Sequence, residues 1–206
     1  MADVKTYKCF PTLIHKFVLD IPTDDKILMT KYIETFKGVD EIQNPLLITH
    51  TEDDLHTMSY FRNLKDNILK LNKTILDDLD YEYEDLIITN MWANIMSSGG
   101  SHPPHTHSNN FLSGVFYLKT DTDSSPILFF DPRPQANVIV PRRKEPNWEN
   151  SNIAMFNPTE NTGFIFPSWL QHFVPTSNSK ERISISWNIL IKGHYGEPNT
   201  LQNAYI

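Results

Sequence analysis

Cysteine is almost absent from this sequence, because Cys9 is the single one among 206 residues. An intramolecular disulfide and a cysteine-rich structural zinc site are therefore excluded, and we expect a protein of a reducing compartment, the cytoplasm. Long apolar segments are also missing, since no run of about 18 uncharged apolar residues occurs. Neither a membrane-spanning helix nor secretion by a signal peptide is expected.

Basic residues are scarce relative to acidic ones. The chain has 18 Lys and Arg against 25 Asp and Glu, which gives a formal net charge of -7. Proteins that bind nucleic acid through its phosphates usually carry a positive surplus, so nucleic acid is not an expected partner. What the sequence does contain is 39% hydrophobic and 12% aromatic residues, enough for the core of one ordinary domain.

The hydrophobic pattern changes near Leu86. Before this residue, apolar side chains recur at steps of three and four, which predicts helices over residues 24–36 and 55–79. After it, short runs rich in β-branched and aromatic residues alternate with turn residues, which is typical of strands. The predicted strands span residues 86–96, 104–108, 111–119, 127–130, 136–140, 153–156, 163–167, 172–175 and 182–192.

This order of elements predicts a mainly β fold with N-terminal helices. The expected architecture is a β-sandwich or a jelly roll, with the helices packed on one sheet. We predict a helical part over residues 1–85 and a core over residues 86–206, which pack as one structural domain. The loop over residues 141–151, with Arg142, Arg143 and Lys144, is predicted to be an exposed connection or a basic lip around an acidic ligand. The choice between a monomer and a homodimer stays open.

Two predicted strands carry polar residues at alternate positions. Because alternate residues of a strand share a face, each strand has one polar face, either exposed or lining a polar cavity. The two polar rows are Arg182, Ser184, Ser186 and Asn188 in the last predicted strand, and Asn90, Trp92 and Asn94 in the first.

Three of the eight histidines, His102, His105 and His107, fall within six positions. On a strand, His105 and His107 would point to the same side, which is a common half of a metal site. His172 is the best candidate for a third ligand, since it follows a predicted strand that ends at Pro167. Neutral imidazole binds Fe, Zn, Cu and Ni, so the ligands alone do not name the metal.

Four segments together resemble the iron(II)- and 2-oxoglutarate-dependent oxygenases, over about residues 90–192. The segments are Pro-His-Thr-His at 104–107, Leu-Ser-Gly-Val-Phe-Tyr-Leu at 112–118, Phe-Pro followed by His172 at 166–172, and Arg-Ile-Ser at 182–184. The resemblance implies a double-stranded β-helix fold, with His105 and His172 binding Fe(II) and with Arg182 and Ser184 binding the distal carboxylate of 2-oxoglutarate. We expect His107, at the position of the family's third ligand, to complete the metal site. From their strand faces, Asn94 and Tyr117 are further candidates for contacts with this co-substrate.

The resemblance also implies a reaction. O2 would convert 2-oxoglutarate to succinate and CO2 while a C–H bond of an unknown small-molecule or protein substrate is hydroxylated. One departure stands out, because the family has Asp or Glu where this chain has His107. A neutral imidazole there leaves the site about one charge unit more positive. Asp131 is an alternative source of a carboxylate, although we expect it to cap a turn.

Two other functions stay open. Cupins place a glycine and five further residues before His-x-His, as Gly99 stands before His105, so a three-histidine dioxygenase without 2-oxoglutarate is one alternative. The glutamate that cupins carry a few residues later is missing here, and Arg182 with Ser184 favours the keto-acid enzyme. The other alternative is a jelly-roll binding module without catalysis.

Overall fold

A computed structural model of the protein describes residues 2–37 and 46–206. Its α-helices are α1 and α2, and three short 3-10 helices span Leu55–Thr57, Ser59–Phe61 and Pro134–Asn137. The helix bounds are Thr23–Glu34 for α1 and Arg62–Asp78 for α2. The strands are β1 His15–Val18, β2 Ile48–His50, β3 Asp85–Ser97, β4 His102–His105, β5 Leu112–Lys119, β6 Ile127–Phe130, β7 Ile153–Phe156, β8 Thr162–Pro167, β9 His172–Val174, β10 Glu181–Lys192, β11 His194–Tyr195 and β12 Ala204–Tyr205.

The strands form two larger antiparallel sheets, which confirms the predicted mainly β fold. The six-stranded sheet has the order β1-β8-β5-β10-β3-β2, the four-stranded sheet has the order β4-β9-β6-β7, and β11 pairs with β12. Buried aromatic residues of both larger sheets pack on one another, among them Phe164 and Phe166 of β8 and Phe129 of β6. The two sheets therefore face each other across a shared core, as in a jelly roll.

The helices cover the outer face of the six-stranded sheet. Met29 and Ile33 of α1 and Leu64 and Ile68 of α2 belong to one buried cluster with the apolar row of β10, which is Ile183, Ile185, Trp187 and Ile189. The alternation predicted for β10 is confirmed, because Arg182, Ser184 and Ser186 line a cavity on the opposite face. One strand thus divides the helix-covered core from the space between the sheets.

Several predicted elements differ from the structure. The predicted strand over 136–140 is wrong, since a 3-10 helix ends at Asn137 and Val138, Ile139 and Val140 are exposed. These residues have high β propensity, but propensity forms a strand only where a partner and a buried face are present. The predicted strand over 104–108 is shifted: β4 spans His102–His105, and beyond it the N–H of His107 donates to the carbonyl of Ser168 in place of a ladder partner.

The N-terminal part is less purely helical than predicted. Strands β1 and β2 lie before Leu86 and occupy the two edges of the six-stranded sheet. The predicted helix over 55–79 begins as an α-helix only at Arg62, because Met58 adopts an extended conformation between two 3-10 helices. Residues 141–151 are exposed apart from Ser151, and they form no strand. Within the described residues, neither helix has the length and apolar character needed to cross a membrane.

A close contact between β5 and β10 fixes the spacing of the central strands. Gly114 pairs directly with Trp187, and a Cβ atom at position 114 would lie 2.2 Å from Cζ2 of the indole. The Trp187 side chain is fully buried, so it has little room to move.

We therefore expect Gly114→Ala to lower the free energy of unfolding by about 1–3 kcal/mol through overpacking. Chemical denaturation measures this loss in the wild-type background and in a Trp187→Phe background, where the smaller ring leaves space for the methyl group. The loss should be clearly smaller in the second background. An equal loss in both would show that the indole is not the cause.

Candidate metal and co-substrate site

Three imidazoles converge between the sheets. His105 ends β4, His172 begins β9, and the two are directly paired in the ladder, while His107 lies just beyond β4. One ligand atom from each of the three rings lies within 4.8 Å of the others. The Nε2 atoms of His107 and His172 are 3.4 Å apart. The structure therefore brings together the three histidines that the sequence selected.

Backbone carbonyls orient two of these rings. The carbonyl oxygen of Pro103 accepts a hydrogen bond from Nδ1 of His105 at 2.8 Å, and that of Leu170 accepts one from Nδ1 of His172 at 2.9 Å. A carbonyl can only accept, so Nδ1 carries the proton in each ring and Nε2 keeps its lone pair. This is the arrangement found around metal-binding histidines, whose second nitrogen is held by an outer hydrogen bond.

The backbone of His107 is anchored outside the strand. Its N–H donates to the carbonyl of Ser168 at 2.9 Å. The Ser168 hydroxyl lies 2.8 Å from that of Ser113, which donates to the Asn188 side chain at 2.8 Å. Ser113 belongs to β5 and Asn188 to β10, so this buried network ties the third imidazole to the six-stranded sheet.

The cluster consists of histidines and contains no carboxylate. Asp131, the alternative source of one, accepts hydrogen bonds from the backbone N–H of Arg133 at 3.0 Å and from its Nε at 2.9 Å. Its expected role in a turn is therefore confirmed. A set of neutral imidazole donors fits Fe(II), and it also fits Zn(II) and Ni(II), so the donor chemistry is compatible with the metal that the family uses.

Burial keeps the imidazoles neutral. Removal from water, together with the nearby His105, lowers the pKa of His107 to about 4 and that of His172 to about 3. Burial also lowers the pKa of His105. Aromatic rings form much of this environment, since Phe166 lies 4.7 Å from His172 and Trp92 lies 5.8 Å from His107, measured between ring centroids. Neutral rings are ready to bind a cation.

Arg182 is buried in the same cavity without an opposite charge. Its side chain is 3% exposed, and among residues 2–37 and 46–206 no carboxylate forms a salt bridge with it. Its Nη1 donates to the Ser184 hydroxyl at 3.3 Å, while Nε has no hydrogen-bond partner in this part of the chain. A buried, unpaired guanidinium is costly, and a bound carboxylate would satisfy it in bidentate geometry. The site therefore fits a dicarboxylate co-substrate.

The two secondary candidates differ in position. Asn94 lines the cavity, where its Nδ2 donates to Ser186 at 3.2 Å and its Oδ1 accepts from Trp92 Nε1 at 3.1 Å. Tyr117 does not line it: the ring is fully buried behind Arg182, with the guanidinium carbon 4.9 Å from its centroid. Burial raises the pKa of Tyr117, and Arg182 acts in the opposite direction. Tyr117 supports the cation rather than facing the open cavity.

His102 is a fourth histidine that lines the cavity, and the sequence alone predicts no role for it. Its ring centroid is 4.2 Å from that of His105. Residues three apart should face opposite sides of a regular strand, but β4 has a register irregularity between His102 and His105 that brings both inward. The Pro103-Pro104 pair between them was the available signal, since proline interrupts a regular ladder.

The lowered pKa values predict how the metal-free protein responds to acid. The pKa of His102 and His107 is about 4 and that of His172 about 3, against about 6.5 in an unfolded chain. Between these values the unfolded state binds more protons, so the free energy of unfolding should fall as pH decreases from about 6.5 toward 4.

Urea denaturation at a series of pH values measures this slope. In His172→Phe, which retains an aromatic ring but cannot titrate, the slope should be shallower than in the wild type. The matched control is His194→Phe, the same substitution at an exposed residue of β11 outside the cavity. Equal slopes in the wild type and in His172→Phe would contradict the assignment.

Comparisons with known proteins agree with this geometry. Residues 90–188 match the family model described as “Putative 2OG-Fe(II) oxygenase”. A search of curated proteins found no match. Among solved structures, a Pseudomonas putida prolyl-4-hydroxylase is 13% identical with a TM-score of 0.60, and the alignment covers 86% of this chain and 92% of that one.

Two further solved structures are similar to this chain. HygX from Streptomyces hygroscopicus, solved with nickel, 2-oxoglutarate and hygromycin B, is 10% identical with a TM-score of 0.58 and coverage of 86% and 82%. A Trichoplax adhaerens prolyl hydroxylase, solved with a peptide fragment of hypoxia inducible factor, is 11% identical with a TM-score of 0.58 and coverage of 86% and 83%. These likenesses establish the double-stranded β-helix fold. Residues 90–188 are, in addition, similar to the family of 2OG-Fe(II) oxygenases.

Proposed function

We propose that the protein is an Fe(II)- and 2-oxoglutarate-dependent dioxygenase that uses three histidines as metal ligands and hydroxylates a C–H bond of its substrate. One observation supports this most directly: one cavity contains both the histidine cluster and the unpaired Arg182 guanidinium. When bound, Fe(II) and 2-oxoglutarate would supply the activation of O2, coupled to the loss of CO2.

The residues of the chain divide the work of binding. His105, His107 and His172 would hold the metal through three nitrogen atoms, with the rings of His105 and His172 fixed by the carbonyls of Pro103 and Leu170. Arg182 and Ser184 would receive the distal carboxylate of 2-oxoglutarate. A bidentate contact between guanidinium and carboxylate fixes direction as well as position, so the keto end of the molecule is directed at the metal.

The cavity walls would exclude water from the reaction. Trp92, Met96, Phe166 and Val174 line the same cavity as the polar groups. Apolar walls around a charged site strengthen its electrostatic interactions and protect reactive species from side reactions.

Absence of a carboxylate ligand affects the charge of this site. Iron(II) bound by three neutral imidazoles carries about one positive unit more than iron(II) bound by two imidazoles and a carboxylate. A dianionic co-substrate is attracted more strongly by the more positive site. Arg182 and Ser184 stand ten and twelve residues after His172, the spacing of the keto-acid enzymes, which favours this function over the cupin-like alternative.

The substrate is proposed only by class. HygX was solved with the small molecule hygromycin B and the Trichoplax adhaerens enzyme with a peptide fragment, so proteins of this fold accommodate either kind. We accordingly propose a small molecule or a protein segment as the substrate here. The exposed free thiol of Cys9 supports a reducing compartment, and we propose the cytoplasm as the location.

An anaerobic titration tests the function. Apo protein is titrated first with Fe(II) and then with 2-oxoglutarate, and the visible spectrum is followed for the charge-transfer band of a metal-chelated keto acid. The wild type should develop the band. Arg182→Ala should bind Fe(II) normally and lose at least about tenfold in affinity for 2-oxoglutarate, since a hydrogen-bonded charged pair contributes about 1.5–3 kcal/mol.

Arg62→Ala is the control for this experiment, because Arg62 is an exposed arginine at the start of α2. It should behave as the wild type does. Binding of iron without a band would favour the cupin-like alternative, and failure to bind iron would favour a module without catalysis. A band of normal affinity in Arg182→Ala would refute the role of this arginine.

Two substitutions of His107 test whether this residue is a metal ligand. His107→Asp introduces the carboxylate that the family motif carries, and it should retain Fe(II) binding while the affinity for dianionic 2-oxoglutarate decreases, because the site loses about one positive unit. His107→Ala should weaken Fe(II) binding by roughly a hundredfold or more. Isothermal titration under argon gives both constants. If neither substitution changes the affinity for iron, His107 is not a ligand.

A further inference from the structure

His102 is a fourth imidazole of the cavity that the proposed metal set does not use. It lies three residues before His105 on β4, and both rings line the cavity. The group of side chains able to hold one metal ion contains His105, His107 and His172, without His102. The two neighbouring rings of β4 therefore have different positions relative to the metal.

The strand register places His102 at the Arg182 end of the cavity. His102 pairs with Val174 across the β4–β9 ladder. The neighbouring pair of His105 and His172 lies three residues away along β4 and two residues away along β9. Val174 packs in a small buried cluster with Met96, and Met96 is the cross-strand partner of Arg182. His102, Met96, Val174 and Arg182 all line the cavity. The ring thus neighbours the metal ligand His105 and lines the same cavity as the guanidinium.

The ring nitrogens of His102 are poorly satisfied by the protein. In the described part of the chain, the one hydrogen-bond contact of the ring joins Nδ1 to the carbonyl oxygen of Pro103 at 3.5 Å, the outer limit for such a bond. Its aromatic neighbours are the rings of His105, at 4.2 Å, and His50, at 6.2 Å between centroids. Among the described residues, the protein therefore leaves most of the hydrogen-bonding capacity of this ring unused.

We propose that His102 is a co-substrate-binding residue. With its proton on Nε2, in the tautomer that gives up the long Nδ1 contact with Pro103, it donates a hydrogen bond to the distal carboxylate of 2-oxoglutarate beside Arg182 and Ser184. The inference rests on the proposed function. Arg182 and Ser184 belong to β10 of the six-stranded sheet, and His102 belongs to β4 of the four-stranded sheet. Contacts from both sheets would hold the carboxylate from opposite walls and fix it more firmly than either wall alone.

The test uses His102→Phe and His102→Gln in the anaerobic titration. Phenylalanine keeps a ring to pack on His105 but removes the N–H, whereas glutamine keeps a donor. His102→Phe should bind Fe(II) with unchanged affinity and bind 2-oxoglutarate about tenfold more weakly. His102→Gln should recover part of that loss. Thermal unfolding of each variant verifies that the fold is retained, and His194→Phe serves as the matched control on exposed β11.

A second probe identifies the carboxylate. The compound 2-oxopentanoate has the same chain length as 2-oxoglutarate without the distal carboxylate, so its affinity should be equally low in the wild type and in His102→Phe. If His102→Phe weakens both keto acids by the same factor, His102 does not contact the distal carboxylate and the proposal is overturned.

Other outcomes are equally decisive. Loss of Fe(II) affinity in His102→Phe would make His102 a metal ligand instead, and unchanged affinity for 2-oxoglutarate would remove its role altogether. Absence of the charge-transfer band in the wild type would overturn the proposed function itself. A band in the wild type with no effect of His102→Phe would overturn this inference alone.

Discussion

Alternation of side chains along β10 is the constraint on which the rest of this structure depends. The strand pairs with β3 on one side and with β5 on the other, so it is central to the six-stranded sheet. Ile183, Ile185 and Trp187 pack under the helices, and the intervening Arg182 and Ser184 enter the cavity. The apolar row could not shift by one residue without moving the guanidinium into the helix-covered core. Core packing therefore also fixes the position of the proposed co-substrate contact.

The cavity carries positive charge, whereas the chain as a whole is negatively charged. The formal net charge is -7, yet the cavity combines neutral imidazoles with a buried arginine that has no carboxylate partner among the described residues. A divalent cation at the histidine cluster would raise the positive charge further. The site is therefore complementary to a dianion, and a metal bound first would strengthen the binding of that dianion through their mutual attraction.

The parts of the fold and site that the sequence predicted are those governed by simple periodicity. A period of two placed Arg182 and Ser184 on one face and Ile183 on the other, and both assignments are confirmed. The parts that it missed depend on contacts distant in sequence. Val138 to Val140 have strand-forming side chains, but the structure gives them no partner, and they are exposed.

The inward position of His102 could not be predicted from the sequence either, because it also depends on a contact distant in sequence. A regular strand would direct His102 and His105 to opposite faces, and the irregular register of β4 against β9 overrides that expectation. His107 also reaches the cluster from outside a strand, held by the carbonyl of Ser168. The sequence shows that several histidines lie close together along the chain. It does not show in which direction their side chains point, because this depends on the pairing of β4 with β9, a strand about 70 residues later.

The three histidines are attached to different parts of the fold, and this affects what a bound metal would do. His105 and His172 are paired within the four-stranded sheet, while the buried serines tie His107 to the six-stranded sheet through Ser113. A metal bound by all three would cross-link the sheets at the cavity that His102 and Arg182 also line. Because a metal that binds only the folded state stabilises it, the same cross-link would fix the separation of the walls that receive the keto acid. Metal binding and co-substrate binding would in this way be coupled through the spacing of the two sheets, in addition to the direct attraction between their charges.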